Sequence, residues 1–96
     1  MRLNPQIIAF FKQKIVEPIP GAKIYLFGSR VSDQERGGDI DLMILTNALI
    51  DKKTFRSIRV EFLKQFGWQK IDLVNFTFED NSAFKQLIQI NAIELL

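Results

Sequence analysis

Residues 39–45 constrain the fold more than any other part of the sequence. They begin with alternating acidic and apolar residues and then become wholly apolar. This pattern is typical of a strand that is buried within a sheet, with its acidic end exposed. Because side chains two apart on a strand leave the same face, we expect Asp39 and Asp41 to lie together while Ile40 enters the core.

Two carboxylates this close repel each other unless a cation neutralises them, and hard divalent metals accept carboxylate oxygens. The chain has no histidine and no cysteine, so disulfides and thiolate chemistry are excluded and the commonest zinc ligand is absent. Magnesium is therefore the natural candidate. A solvated loop bearing two acids is the alternative, but Gly37 and Gly38 before the pair and the apolar residues after it favour a site.

The remaining segments predict helices and strands in alternation. Asn4 and Pro5 are a strong helix start, and apolar residues at helical spacing predict a second helix over residues 51–66. Strands are predicted at residues 23–27 and 69–76, and a last helix begins near Asp80, Asn81 or Ser82 and ends near Leu95. This order indicates an α/β (α+β) fold: a small mixed sheet of three or more strands flanked by helices.

Two further features would meet the acid pair at one end of such a sheet. Gly28 and Ser29 follow the first strand, where a glycine admits close backbone approach and Ser29 could cap a helix whose amides face a phosphate. Taken alone, this pair is typical of an ordinary turn. Asp72 is the only acid in the third strand, and it is either an exposed edge residue or the third member of a carboxylate cluster. Such a cluster can hold two metal ions that clamp a phosphoryl displacement.

Together, Gly28 and Ser29, Asp39 and Asp41, and the later Asp72 resemble the signature of the DNA polymerase β-type nucleotidyltransferase superfamily. More narrowly, the chain resembles the minimal nucleotidyltransferase (MNT) domain that is the antitoxin of HEPN–MNT toxin–antitoxin pairs. The resemblance covers nearly the whole chain and implies the nucleotidyltransferase fold.

The resemblance implies roles for these residues. Gly28 and Ser29 would bind the β and γ phosphates of ATP, while Asp39 and Asp41 would ligate two Mg²⁺ ions. Asp72 would ligate the catalytic metal and help to activate the acceptor hydroxyl. Arg30 either binds phosphate or is a surface charge. The implied reaction transfers AMP from ATP to a hydroxyl, in this branch a tyrosine of a HEPN ribonuclease toxin.

Length and composition set the remaining expectations. We expect one domain spanning residues 1–96, located in the cytoplasm, because no signal sequence and no apolar run long enough to cross a membrane is present. We do not expect nucleic acid as a partner, because the net charge is only +2 and the cations are scattered along the chain. No segment remains to present the acceptor, so the resemblance implies a hetero-oligomer with the helical HEPN toxin.

The last helix has apolar residues on most of its surface, among them Phe84, Leu87 and Ile90. Either a partner chain covers it or it packs across the sheet. Two alternatives to protein adenylylation follow. The chain could be a non-catalytic antitoxin that masks a HEPN partner, or a nucleotidyltransferase for a small molecule whose pocket includes a helical partner subunit.

Overall fold

The computed structural model describes residues 3–28, 39–67 and 69–95. Within these residues the chain forms, in order, α1 (Pro5–Phe11) with a π-helical turn (Lys12–Val16), β1 (Lys23–Phe27), β2 (Ile40–Thr46), α2 (Lys52–Phe66), β3 (Ile71–Thr77), α3 (Ala83–Gln89) and β4 (Ile93–Glu94). Up to the end of α3, this order is the one that the sequence predicts.

The predicted helix starts are confirmed by their caps. The side chain of Asn4 accepts a hydrogen bond from the backbone N–H of Gln6 at 2.7 Å, and Pro5 occupies the first helical position. Asp51 caps α2, since its carboxylate accepts from the backbone N–H and the hydroxyl of Thr54 at 3.0 and 3.1 Å. Each cap satisfies amides that the first turn of a helix leaves free.

The sheet is mixed and has the strand order β3-β2-β1-β4. Strands β2 and β3 run parallel, whereas β1 is antiparallel to both β2 and β4. One face of the sheet packs against α1 and α2 in the larger core cluster. The other face carries a smaller cluster, in which α3 contributes Ile88. The predicted α+β fold with a small mixed sheet is therefore confirmed.

The end of the chain differs from the prediction. The last helix ends at Gln89 instead of near Leu95, and β4 pairs with β1 through Tyr25 opposite Glu94 and Leu26 opposite Ile93. Without β4, this edge of β1 would present unpaired backbone groups. Leu95 strengthens the pairing, because its N–H donates to the carbonyl of Ile24 at 2.7 Å.

The first helix also differs in detail. After Phe11 it widens into the π-helical turn, where the N–H of Glu17 donates to the carbonyl of Lys12 at 2.9 Å. Ile15 remains fully buried, so the wider turn keeps this residue in the core.

The described helices are each too short or too polar to cross a membrane.

The larger core depends on Phe62, and its replacement should be costly. Phe62 has no exposed surface, and its ring centroid lies 5.5 Å from those of Phe10 and Phe11 and 5.0 Å from that of Phe66. We expect Phe62→Ala to lower the free energy of unfolding by about 3–5 kcal/mol in urea denaturation. The matched control is Leu63→Ala, at a side chain 61% exposed on the same helix, which should change it by less than about 0.5 kcal/mol. Equal losses would contradict this account of the core.

Candidate functional site

The parallel pairing of β2 and β3 places two of the predicted site acids side by side. Asp41 and Asp72 are direct partners in the register. Their neighbours Ile40, Leu42 and Leu73 enter the larger core, so the two carboxylates leave the opposite face, on the side of α3. Asp41 is half-buried and Asp72 is exposed. The structure thus brings these acids together at the start of both strands.

Gly28 lies against this pair. It follows Phe27, the register partner of Asp41, and has a φ of +83°. A Cβ at this position would overlap the Asp41 carboxylate. Glycine is therefore required at this position for two reasons: the backbone is left-handed, and the Asp41 carboxylate leaves no room for a side chain.

Asp39 directly precedes β2 and is exposed. Its charge contributes to the electrostatics of Asp41, although less than that of Asp72. Among residues 3–28, 39–67 and 69–95, no group of three histidine, cysteine or acidic side chains is arranged to hold one metal ion. The pair of Asp41 and Asp72, with Asp39 beside it, is thus what the described structure assembles. Ser29 and Arg30, the other two predicted site residues, lie outside the described residues.

The environment of Asp41 disfavours its charged form. Burial is the largest cause of its raised pKa, followed by the negative charges of Asp72 and Asp39 and by a hydrogen bond with Asp72. A cation placed between the two carboxylates would oppose the repulsion. Because every donor is a carboxylate oxygen, the pair fits a hard divalent ion such as Mg²⁺ and offers no soft ligand.

A residue that the sequence analysis did not single out holds the two strands in register. The side chain of Asn75 donates to the carbonyl of Ile44 at 2.9 Å and to the hydroxyl of Thr46 at 3.1 Å. Its oxygen accepts from the backbone N–H of Ile50 at 2.7 Å. These bonds tie β3 to β2 and to the loop before α2, three residues beyond Asp72. A single asparagine within a strand pattern carries no sequence signal for this role.

A family model described as "Polymerase beta, Nucleotidyltransferase" matches residues 6–96. No curated protein sequence matches the chain.

Solved structures of toxin–antitoxin complexes share the fold. A mutant of the pair MntA–HpeT superposes with a TM-score of 0.72 and 23% identity, over 98% of this chain and 73% of that one. A toxin–antitoxin structure with AMP-PNP gives 0.69 and 24%, over 95% and 70%. The third contains tri-AMPylated Shewanella oneidensis HEPN toxin in complex with MNT antitoxin and gives 0.65 and 22%, over 95% and 66%. The superpositions confirm the predicted nucleotidyltransferase fold.

The contact between Gly28 and Asp41 can be tested against a matched glycine. Gly21 also has a φ of +83°, but a Cβ there would meet Asn47 at an ordinary 3.7 Å. We expect Gly21→Ala to lower the free energy of unfolding by about 1–2 kcal/mol, the cost of the left-handed backbone alone. Gly28→Ala should lose more, because its methyl group must also displace the Asp41 carboxylate. Equal losses in urea denaturation would show that the carboxylate does not crowd this glycine.

The raised pKa of Asp41 sets a pH dependence. Between the ordinary pKa of 3.8 and the raised folded-state pKa, the folded protein binds more protons than the unfolded chain, so stability falls as the pH rises. Asp41→Asn removes this penalty. In the absence of divalent ions we therefore expect Asp41→Asn to raise stability above the folded-state pKa and to make no charge-related difference below pH 3.8.

Asp51 provides the control for this measurement. Its hydrogen bonds with Thr54 lower its pKa, so its charged form is favoured in the folded state. Asp51→Asn should therefore give no gain at neutral pH. If Asp51→Asn raised stability at neutral pH as much as Asp41→Asn does, the effect would come from the change in net charge and not from the acid pair.

Proposed function

Because the chain belongs to the polymerase β-type nucleotidyltransferase family, we propose that it transfers AMP from ATP to a hydroxyl group with Mg²⁺ as cofactor. The observation that carries this proposal is the parallel register that sets Asp41 beside Asp72. Gly28 supports it, since its backbone reaches the Asp41 carboxylate without a side chain in the way.

In this proposal Asp39, Asp41 and Asp72 hold two Mg²⁺ ions, while Gly28, Ser29 and Arg30 bind the triphosphate. When bound, the metal ions supply positive charge against the phosphate oxygens and lower the barrier to displacement. The raised pKa of Asp41 is consistent with such a role, because an acid pair that repels itself gains most from a divalent cation.

The transfer is a single displacement at the α-phosphorus. The acceptor oxygen forms a bond to this phosphorus, the bond to the bridging oxygen of the β-phosphate breaks, and pyrophosphate leaves with the electron pair. Asp72 accepts the proton of the attacking hydroxyl, and its exposure leaves it accessible to an acceptor that arrives from outside.

We further propose that the acceptor is a tyrosine of a HEPN-type toxin, for which the chain is the antitoxin. The support is the fold shared with the MNT antitoxin in complex with tri-AMPylated HEPN toxin. The exposed side of α3, with Phe84, Leu87 and Ile90 each more than half exposed, is a surface that such a partner could cover.

The test is transfer of label from α-labelled ATP to the proposed HEPN-type partner. With Mg²⁺ we expect labelling of a tyrosine, and EDTA should abolish it. Asp41→Asn and Asp72→Asn should each lower the rate by at least about 100-fold, since loss of metal binding removes several kcal/mol of transition-state stabilisation. Asp80→Asn, at a carboxylate in the turn before α3, should leave the rate unchanged.

Persistent labelling in the Asp41→Asn, Asp72→Asn double variant would rule out the proposed site.

The second candidate function is masking of the toxin without transfer, which the exposed apolar side of α3 favours. It predicts that the double variant still forms the complex and still protects cells from the toxin. If transfer is the function, the double variant loses protection even where it retains the complex.

A further inference from the structure

A groove lies along one flank of α2, beside the loop that joins β2 to α2. Its volume is about 590 Å³. We call it the α2 groove, and six of the side chains that line it carry the argument: Leu49, Lys52, Arg56, Arg59, Val60 and Leu63. The five on α2 are spaced three or four residues apart or are adjacent, so they share one face of the helix. The neighbouring face of α2, with Ile58, Phe62 and Phe66, is buried in the larger core.

The apolar part of the α2 groove is exposed. Leu49, Val60 and Leu63 are 64%, 44% and 61% exposed, and they form a group at one site. Single exposed apolar side chains need no explanation, but a cluster in a groove marks a surface that another molecule covers.

All of the charged side chains that line the α2 groove are positively charged. Lys52, Arg56 and Arg59 line it, and none of the described lining residues is acidic. Within the described part of the chain, none of these three cations forms an ion pair. The acids of the same region point elsewhere: Glu61 pairs with Lys14 at 2.8 Å, and Asp51 caps the helix.

The α2 groove is separate from the acid pair. Leu49 follows the end of β2, whereas Asp41 lies at its start, about 17 Å away along the strand. In addition, α2 covers the face of the sheet opposite to the one from which Asp41 projects. An occupant of the groove would therefore leave the carboxylates accessible.

We propose that the α2 groove binds an amphipathic helix of a partner protein, one that carries acidic residues beside an aliphatic stripe. The length of the groove supports a helix, since Lys52 and Leu63 are eleven residues apart, about 16 Å or three turns. The spacing of the cations lets carboxylates one turn apart on the partner helix face them in series. The aliphatic side chains supply the apolar contact.

Two other occupants fit less well. A nucleic acid would use exposed aromatic rings for stacking, but the exposed apolar side chains in the groove are aliphatic and Phe55 is only partly exposed. A second copy docked through the same face would set the cations of one α2 against those of the other. This proposal does not rest on the proposed transfer of AMP, because it concerns a different surface.

The direct test is titration of a designed peptide into the full ¹⁵N-labelled chain. The peptide, about 14 residues long, has leucines one helical turn apart and glutamates beside them. Two matched peptides have the glutamates replaced by lysine or the same residues in scrambled order. We expect chemical-shift changes confined to the α2 groove, and binding at least about tenfold weaker for both matched peptides.

Variants of the chain sharpen the test. Arg56→Glu, Arg59→Glu and Leu63→Asp should each weaken binding by about tenfold or more, with the fold monitored by denaturation. Lys53→Glu is the matched control, since Lys53 belongs to the same helix but lines a different cavity beside Glu61. The lysine peptide should bind the Arg56→Glu, Arg59→Glu double variant better than the native chain.

Four results would overturn the proposal. The acidic peptide could bind no better than its scrambled form, or shift residues outside the groove. An oligouridine RNA could bind the same residues more tightly than the peptide, which would make the groove a nucleic-acid surface. Sedimentation could show that the chain associates with itself and that Leu63→Asp disperses it, which would assign the groove to a second copy.

Discussion

The parallel pairing of β2 with β3 is the constraint on which the rest of the structure depends. It sets Asp41 opposite Asp72, and a shift by one residue would send one of these carboxylates into the phenylalanine-rich core. Parallel strands need a crossover, which α2 provides while burying Ile58, Phe62 and Phe66 against the same sheet. Asn75 then fixes the register by bonding to both β2 and the start of the crossover. The proposed chemistry therefore depends on the element that carries the core.

The acid pair shows how function opposes stability in a small protein. Burial and the neighbouring carboxylates raise the pKa of Asp41, so the folded state holds a charge that it disfavours at neutral pH. The core must offset this cost, and it does so with rings packed edge-on and face-on around Phe62. A bound cation would reverse the sign of the local electrostatics, linking ligand binding to the free energy of unfolding.

Local patterns predicted much of this fold, because alternation and caps are properties of neighbouring residues. The strand at β2, the helix start at Asn4 and the helix α2 all followed from such patterns. The patterns also predicted that Gly28 and Asp72 meet the acid pair, but the details that depend on distant pairing could not be predicted. Strand β4 has only two residues and forms because β1 has a free edge. The contact of Gly28 with Asp41 exists only once β1 and β2 have paired.

Lys85 fixes where α3 begins on the face of the sheet that carries the acid pair. Its ammonium group is buried and donates to the carbonyls of Thr77, Phe78 and Asp80 at 3.1, 2.8 and 2.7 Å. All three donors of the charged group are thereby satisfied, so its burial is tolerated. The bonds anchor the start of α3 at the end of β3, whereas Asp72 lies near its beginning. The start of α3 is thus held at the far end of this face, while at the other end Asp72 stays exposed and accessible to a nucleotide and an acceptor.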